Sequence, residues 1–329
     1  MAAKQARRPG EFELIERYFR PLAADPGAFG LGDDAALYRQ RPNEDLVVSA
    51  DMIAEGVHFF PDDPPASIAR KALRVNLSDL AAKGAAPFGY LLSLALPGDW
   101  TEAWVRGFAA GLRSDQARYG VTLLGGDTIR AAGGLSISVT VIGRVPKGRM
   151  VLRSGARAAD IVCVSGTVGD AALGLRLRQG SLQPVAGTGQ LLGRYLLPRP
   201  RVALAPVLRR HATSAMDVSD GLVGDLAHIC EVSGVGAEVD LAAVPLSAAA
   251  RRLAASDPAL IPLILNGGDD YEILATVRKL SLGRFVASAK AVGVAVTPIG
   301  RIVRGRGPPV VMDPGGHPVS LTGHSHTHF

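Results

Sequence analysis

Cys163 and Cys230 are the only two cysteines in the 329-residue chain. Two cysteines cannot build a disulfide framework, so the fold must rest on its core and a reducing compartment is expected. No apolar stretch nears the ~20 residues that a membrane helix needs; Tyr90 to Leu96 is among the longest. The N-terminal MAAKQARRPG is charged but has no apolar h-region, so no secretory signal is expected. Lysine is scarce: six of the 36 basic residues are lysine and thirty are arginine. Apart from short clusters at Arg194 to Arg210 and Arg301 to Arg306, these charges are scattered, and none lies in a run interleaved with aromatics. The net charge of +6 therefore reads as a compositional bias towards alanine, glycine and arginine, and a nucleic-acid partner is not expected. There is no G-x-x-x-x-G-K-[ST] loop, no kinase H-R-D or D-F-G set and no G-x-S-x-G. Their absence argues against P-loop, protein-kinase and Ser–His–Asp chemistry. What remains is a chain with 47% hydrophobic and 20% charged residues, expected to be globular, soluble and cytoplasmic, with no membrane partner.

The apolar periodicity predicts a mixed first half. Helices are expected at Phe12 to Phe19, Ala66 to Ala82 and Thr101 to Tyr119, the last with a threonine cap and Glu102 in its first turn. Strands are expected at Asp45 to Ile53, Phe88 to Leu96 and Leu135 to Val145. A second α/β pattern follows Pro146-Lys147-Gly148. It has strands at Asp160 to Ser165, Ser214 to Val218, Ala237 to Leu241, Tyr271 to Val277 and Ala295 to Ile302. Helices are expected at Asp170 to Arg178, Val202 to Arg210, Leu222 to Val232 and Leu280 to Val292, and a polar excursion at Gln179 to Gly189. The expected domains are 1–149 and 150–329. The tail HSHTHF could align His324, His326 and His328 on a metal if it were a strand, but a frayed terminus is expected.

The informative residues are aspartates beside glycine, expected in turns at the ends of apolar strands. They occur in GLGDDAA (Gly30 to Ala36), SADMI (Ser49 to Ile53), NLSDLAAKGA (Asn76 to Ala85), LLGGDTIR (Leu123 to Arg130), MDVSDGL (Met216 to Leu222) and NGGDDYE (Asn266 to Glu272). One such carboxylate is an ordinary turn or cap residue; six motifs together suggest more. Asp79 shares a helical face with Val75, Ala72 and Ile68, so it should be buried, and a buried carboxylate needs hydrogen bonds or a cation. Oxygen donors without paired histidine or cysteine suit Mg²⁺ rather than zinc. The glycines at Gly125-Gly126, Gly221 and Gly267-Gly268 would let backbone approach a polyanion.

Taken in order, these motifs, with GEFELIERYF (Gly10 to Phe19), SADMIAEGVHF, GRVPKGRMVLRSGA and SAMDVSDGLVGDL, resemble the thiamine-monophosphate kinase family of the aminoimidazole-ribonucleotide-synthetase-like superfamily, over nearly the whole chain. The resemblance implies a two-domain α/β fold. The N-terminal mixed sheet with its helices would pair across a homodimer, and the C-terminal half would form an α/β sandwich. It also implies ATP-dependent phosphorylation of thiamine monophosphate to thiamine diphosphate, assisted by several Mg²⁺ ions. The family's metal ligands fall on Asp34, Ser49, Ala50, Asp51, Asp79, Asp127, Asp217 and Asp220, with Ala50 where threonine is frequent. Its ATP contacts fall on Gly126, Asp127, Arg153 and Ser219, and its substrate contacts on His58, Asp269 and, in the tail, His324 or Phe329. Asp127 and Asp220 are expected to be the most critical, and no residue is expected to act as an acid or base.

Three departures stand out. Asp269 replaces a usual glutamate, an aromatic residue frequent in the family near Ala109 is missing, and GHSHTHF replaces G, an aromatic, a variable residue and H-F. His58 also suits a cap beside Phe59, Arg153 a surface cation, and both cysteines the core. Other ATP-using members of the superfamily, of aminoimidazole ribonucleotide synthetase or selenophosphate synthetase type, stay open, as does a non-catalytic nucleotide-binding module. The reactive cysteine expected near the N-terminus of a selenophosphate synthetase has no counterpart here, since both cysteines lie far downstream.

Overall fold

The computed structural model describes residues 9–321. The histidine-rich tail, with His324 and Phe329, lies outside the described residues. The chain divides into two compact units, one drawn from 1–76 and 87–144 and the other from 77–86 and 145–329.

In the first unit, α1 (Glu11–Leu14) continues as a π-helical turn, Ile15–Phe19, burying Leu14, Tyr18 and Phe19. β1 (Glu44–Ala54), β2 (Ala86–Leu96), β3 (Thr122–Arg130) and β4 (Ser136–Pro146) form one sheet in the order β1-β4-β2-β3, with β2 and β3 parallel. Alternation along β4 turns Ile137, Val139 and Val141 inward. The buried faces of α2 (Pro65–Ala82) and α3 (Glu102–Tyr119) add Ile68, Ala72, Phe108 and Leu112. Thr101 caps α3 by accepting from the Trp104 N–H at 3.1 Å. Asp115 of α3 is fully buried. It accepts from Arg74 of α2 at 2.6 and 2.8 Å and from Arg70 at 3.2 Å, which fixes the register of the two helices. Leu46, Val48, Met52 and Leu91 point the other way and remain exposed.

The second unit is built on a six-stranded sheet, ordered β10-β7-β9-β5-β8-β6. Its strands are β5 (Ile161–Ser165), β6 (Ala212–Asp217), β7 (Gly236–Asp240), β8 (Ile273–Val277), β9 (Val296–Val303) and β10 (Val310–Met312). β5 pairs antiparallel with β8 and β9. Both faces are buried. Val162 and Val164 join a core with Leu226 and Ile229 of α7 (Leu222–Ser233). Cys163, between them, faces a second core with Leu208 of α6 (Ala205–His211) and Phe285 of α10 (Leu282–Ala291). A third cluster binds α4 (Asp170–Arg178) and α5 (Thr188–Leu196) to α8 (Ala248–Ser256) and α9 (Ile261–Asn266). Both cysteines are core residues, as expected. Burial pushes the Cys163 thiol up to about 12 and the Cys230 thiol up to about 11, so neither is a ready thiolate.

Two expectations need correction. The polar excursion ends sooner than expected, because α5 begins at Thr188 inside it and buries Leu191 and Tyr195. The aspartates are also not all in turns: Asp51 lies within β1, Asp79 within α2 and Asp127 within β3. Gly125-Gly126-Asp127 has poor strand propensity, but β2 supplies the ladder, with Asp127 opposite Ser93. At Gly126 a side chain would collide with the Leu92 carbonyl, so only glycine lets β3 lie this close. Among the described residues, no helix is long and apolar enough to cross a membrane.

Candidate functional site

In the first unit, the structure brings Asp34, Gly126 and Asp127 together. They line one cavity of about 640 Å³, with Ile15, Phe19 and Thr128 on its wall. Asp33 accepts from the Asp34 N–H at 2.7 Å, and Asp127, within β3, accepts from the Thr128 N–H at 2.8 Å. Ala109 is buried in α3 and does not line this cavity.

Ser49, Ala50 and Asp51 follow one another on β1, with Ala50 and Asp51 exposed. The Asp51 N–H donates to Asn76 Oδ1 at 2.8 Å, and Asn76 Nδ2 donates to the Ala72 carbonyl at 2.9 Å. Asn76 is 1% exposed, so α2 holds this strand through a buried amide. Asn76 opens the NLSD motif but is not among the residues expected to ligate. A buried asparagine one turn from an aspartate was the available signal. His58 accepts at Nδ1 from the Ala54 N–H at 3.1 Å, and its carbonyl accepts from the buried Lys71 ammonium at 2.9 Å. With Nδ1 accepting, the neutral ring carries its proton on Nε2 and can donate there. The expected cap is real, and it fixes the orientation of the ring.

In the second unit, Asp79 and Asp217 share one electrostatic environment. Burial raises the Asp217 carboxyl and repulsion from Asp79 raises it further, opposed by the Ser78 hydroxyl and the Lys83 ammonium. Asp79 is only half-buried, although Val75, Ala72 and Ile68 on its helical face are fully buried. Lys83 donates to the Ala215 carbonyl at 2.8 Å. Burial, and then the nearby Arg153, lower its pKa to about 8, while Asp217 and Asp79 pull the other way. Arg153 itself is exposed. In the sequence Lys83, just past the end of a helix, looks like an ordinary surface charge; the structure instead tethers it to the Ala215 carbonyl near Asp79 and Asp217.

The loop after β6 carries Ser219 and Asp220. It is interlocked with the NGGDDYE loop. The Asp269 and Tyr271 N–H groups donate to the Ser219 and Val218 carbonyls, and Val218 N–H to the Glu272 carbonyl, all at 2.8 Å. Gly268 has φ +71°, and a side chain there would strike the Ser219 carbonyl. Asp225 of α7 clamps the same loop, its Oδ2 accepting from the Ser219 and Asp220 N–H groups at 3.0 and 3.1 Å. Burial, then Asp217 and Asp220, push the Asp225 carboxyl up to about 8. Its Oδ1 is buried with no hydrogen-bond partner among the described residues. From the other side, the buried Glu272 accepts from Arg194 at 2.7 Å and Arg201 at 2.6 Å, and Arg194 also donates to the Asp270 carbonyl at 2.9 Å. Asp269 is thus presented by a braced loop, half-buried and at φ +66°.

Among the described residues, no three histidine, cysteine, aspartate or glutamate side chains are grouped so as to hold a metal ion by themselves. The donors are nevertheless all oxygens. Buried Asp217 is raised by desolvation and a like charge, the condition that a divalent cation relieves. The donor set therefore fits Mg²⁺.

Residues 32–145 match the AIR synthase related protein N-terminal domain family, and residues 158–313 match the corresponding C-terminal domain family. The thiamine-monophosphate kinase of Caulobacter vibrioides is 43% identical over 310 residues, covering 93% of this chain and 88% of that protein. The crystal structure of thiamine-monophosphate kinase from Stenotrophomonas maltophilia K279a aligns with a TM-score of 0.82 at 42% identity, covering 93% of this chain and 97% of that one. A structure described as AaThiL complexed with AMPPCP and TMP aligns with a TM-score of 0.77 at 32% identity, covering 99% of this chain and 100% of that one.

Proposed function

Because the chain belongs to the thiamine-monophosphate kinase family of AIR synthase related proteins, we infer that it transfers the γ-phosphoryl group of ATP to thiamine monophosphate, giving ADP and thiamine diphosphate. AMPPCP is an ATP analogue with a methylene in the β–γ bridge, and TMP fits the phosphate acceptor, so the related complex pairs the two reactants of this reaction. The observation that carries the reading to this chain's own atoms is the cavity shared by Asp34, Gly126 and Asp127. Its apolar wall at Ile15 and Phe19 suits a nucleotide base, and its acidic edge suits metal-bound phosphates.

Both reactants are anions, so the site must gather positive charge before they can meet. Asp34, Asp51, Asp79, Asp127, Asp217 and Asp220, with the Ser49 hydroxyl and the Ala50 carbonyl, would hold several Mg²⁺ ions. When bound, these neutralise the phosphates and the charge developing on the bridging oxygen. Lys83 adds a cation within the field of Asp79 and Asp217, and the exposed Arg153, near Lys83, would contact ATP. Gly126 and Ser219 would meet the triphosphate where backbone approach is closest. Nε2–H of His58 would donate to the acceptor phosphate, and Asp269 would face the cationic thiazolium. A phosphate oxygen of thiamine monophosphate attacks the γ-phosphorus, and the bond to the β–γ bridging oxygen breaks with its electron pair going to ADP. That oxygen is ionised near neutral pH, so no general base is required and the transfer is direct. Expected kinetics are those of a ternary complex, with intersecting initial-rate lines. Label from γ-labelled ATP retained on the denatured protein would overturn direct transfer.

The exposed Leu46, Val48, Met52 and Leu91 support self-association through the open face of the first sheet, with the 1–149 half as the dimerising and nucleotide-binding domain. The deciding experiment is ADP release with thiamine monophosphate, thiamine and aminoimidazole precursors side by side. Release with thiamine monophosphate alone is expected. Release with an aminoimidazole precursor alone would overturn the reading.

A further inference from the structure

The first unit contains another cavity, of about 660 Å³, that none of the residues discussed so far as ligands lines. It lies among the ends of β1 and β2 and the start of α3. Its aromatic wall is Phe59, Trp100 and Trp104, and its two charged groups are Glu55 and Asp99. In a chain with 36 basic residues, no arginine, lysine or histidine among the described residues lines it.

The wall is built rather than incidental. Trp104 stacks on the fully buried Phe108, ring centroids 5.1 Å apart and planes 18° from parallel. Phe59 is 3% exposed. The Trp100 N–H donates to the Pro97 carbonyl at 3.3 Å, closing the turn that carries Asp99. Glu55 Oε2 accepts from the Leu135 N–H at 3.2 Å, so its carboxylate is held at the rim. The α3 N-terminus also opens here, but its Trp104 N–H is already satisfied by Thr101. Aromatic faces attract cations through their quadrupole, most strongly cations that shed water easily, and two carboxylates reinforce the same sign.

We propose that this cavity is a second, non-catalytic binding site for a compact organic cation whose charge is permanent and weakly hydrated, of the thiazolium or quaternary-ammonium kind. The reaction's own substrate and product carry a thiazolium, so such a site would sense the vitamin without handling its phosphate. That last point rests on the kinase reading; cation binding itself does not.

The chain has two tryptophans, and both line this cavity, so tryptophan emission reports on it directly. The full chain is titrated with thiamine, with tetramethylammonium and with neutral tert-butanol, without nucleotide. Saturable quenching by both cations and none by tert-butanol is expected. Quenching by thiamine alone narrows the ligand to the thiazolium source and still supports the site. Glu55→Gln should raise the cation midpoint roughly three- to tenfold, the scale of one such contact. Asp99→Asn, on an exposed turn, provides the same test should Glu55→Gln not fold. Asp269→Ala should leave the midpoint unchanged. No saturable quenching by either cation, a midpoint indifferent to both carboxylate variants, or a thiamine signal abolished by Asp269→Ala would overturn the proposal. Tetramethylammonium is no phosphate acceptor, so its result stands whatever the kinase assay returns.

Discussion

The two sheets hold their acidic residues in opposite ways. In the first unit one face of the sheet is open, and Asp51 and Asp127 stand exposed on strands. In the second unit both faces are buried, and Asp217, Asp225 and Asp270 are almost wholly enclosed at strand and helix ends. The exposed carboxylates keep contact with solvent. The enclosed ones are held above their ordinary range by burial, so the folded chain stores an electrostatic cost that a cation or a proton relieves. The first unit offers a surface; the second supplies pre-organised charge.

The largest expected effect breaks this contrast at its two ends. Asp127→Asn and Asp79→Asn should each lower turnover by several decades, because a doubly anionic encounter loses metal bridging worth several kcal/mol. The folds should survive. Asp217→Asn should also abolish turnover, yet raise the melting temperature of the metal-free protein, since it removes a buried charge repelled by Asp79. Asp127→Asn should leave that temperature nearly unchanged. Thermal melts with and without Mg-ATP, beside initial rates, check both. Near-wild-type activity of Asp127→Asn at saturating Mg²⁺ would refute its metal role.

Next in size is Asp269→Ala. It should raise KM for thiamine monophosphate about tenfold and leave KM for ATP nearly constant, as removal of a contact made equally in ground and transition states does. Paired saturation curves decide; a loss confined to ATP would move Asp269 to the nucleotide site.

Asp270 gives a pH signature. Burial pushes its carboxyl up to about 7, despite support from the Gly169 and Ala171 N–H groups and Arg194. A raised folded pKa means the folded chain keeps a proton that the unfolded chain releases near pH ~4. Its contribution to stability is therefore full below that point and is lost as pH rises to about 7. Asp270→Asn should flatten the stability profile across that window in denaturant melts; an unchanged slope would show that other groups set it.

The smallest effect concerns Asp269→Glu. The residue sits at φ +66°, a left-handed conformation that aspartate visits more readily than glutamate. Restoring the family's usual glutamate should cost about 0.5–1 kcal/mol of stability while keeping substrate binding. The shorter side chain and the strained backbone fit one another.

Much of this could be read in the residues. The 3.6-residue spacing of Ile68, Ala72 and Val75 marks α2, and the alternation of LSISVTVIGRV marks β4, because burial on one face is a local rule repeated along the chain. The ordered acidic motifs identify the family, because oxygen ligands in sequence carry their chemistry with them. Harder to read were the elements whose stability is borrowed. β3 runs through Gly125-Gly126 because β2 supplies its ladder, and α5 begins within a polar stretch because Leu191 finds a core with α8.

By itself, then, the sequence determined the ordered acidic motifs, the strongly periodic elements such as α2 and β4, and which family the chain joins. Tertiary structure alone decided the rest. It buries Asn76 to grip the backbone of Asp51 and places Lys83 within the field of two carboxylates and an arginine. It also locks Asp269 in a left-handed turn against Ser219. The reason is physical. Each of these depends on desolvation and on partners far away in the chain, and neither is a property of any local window of residues.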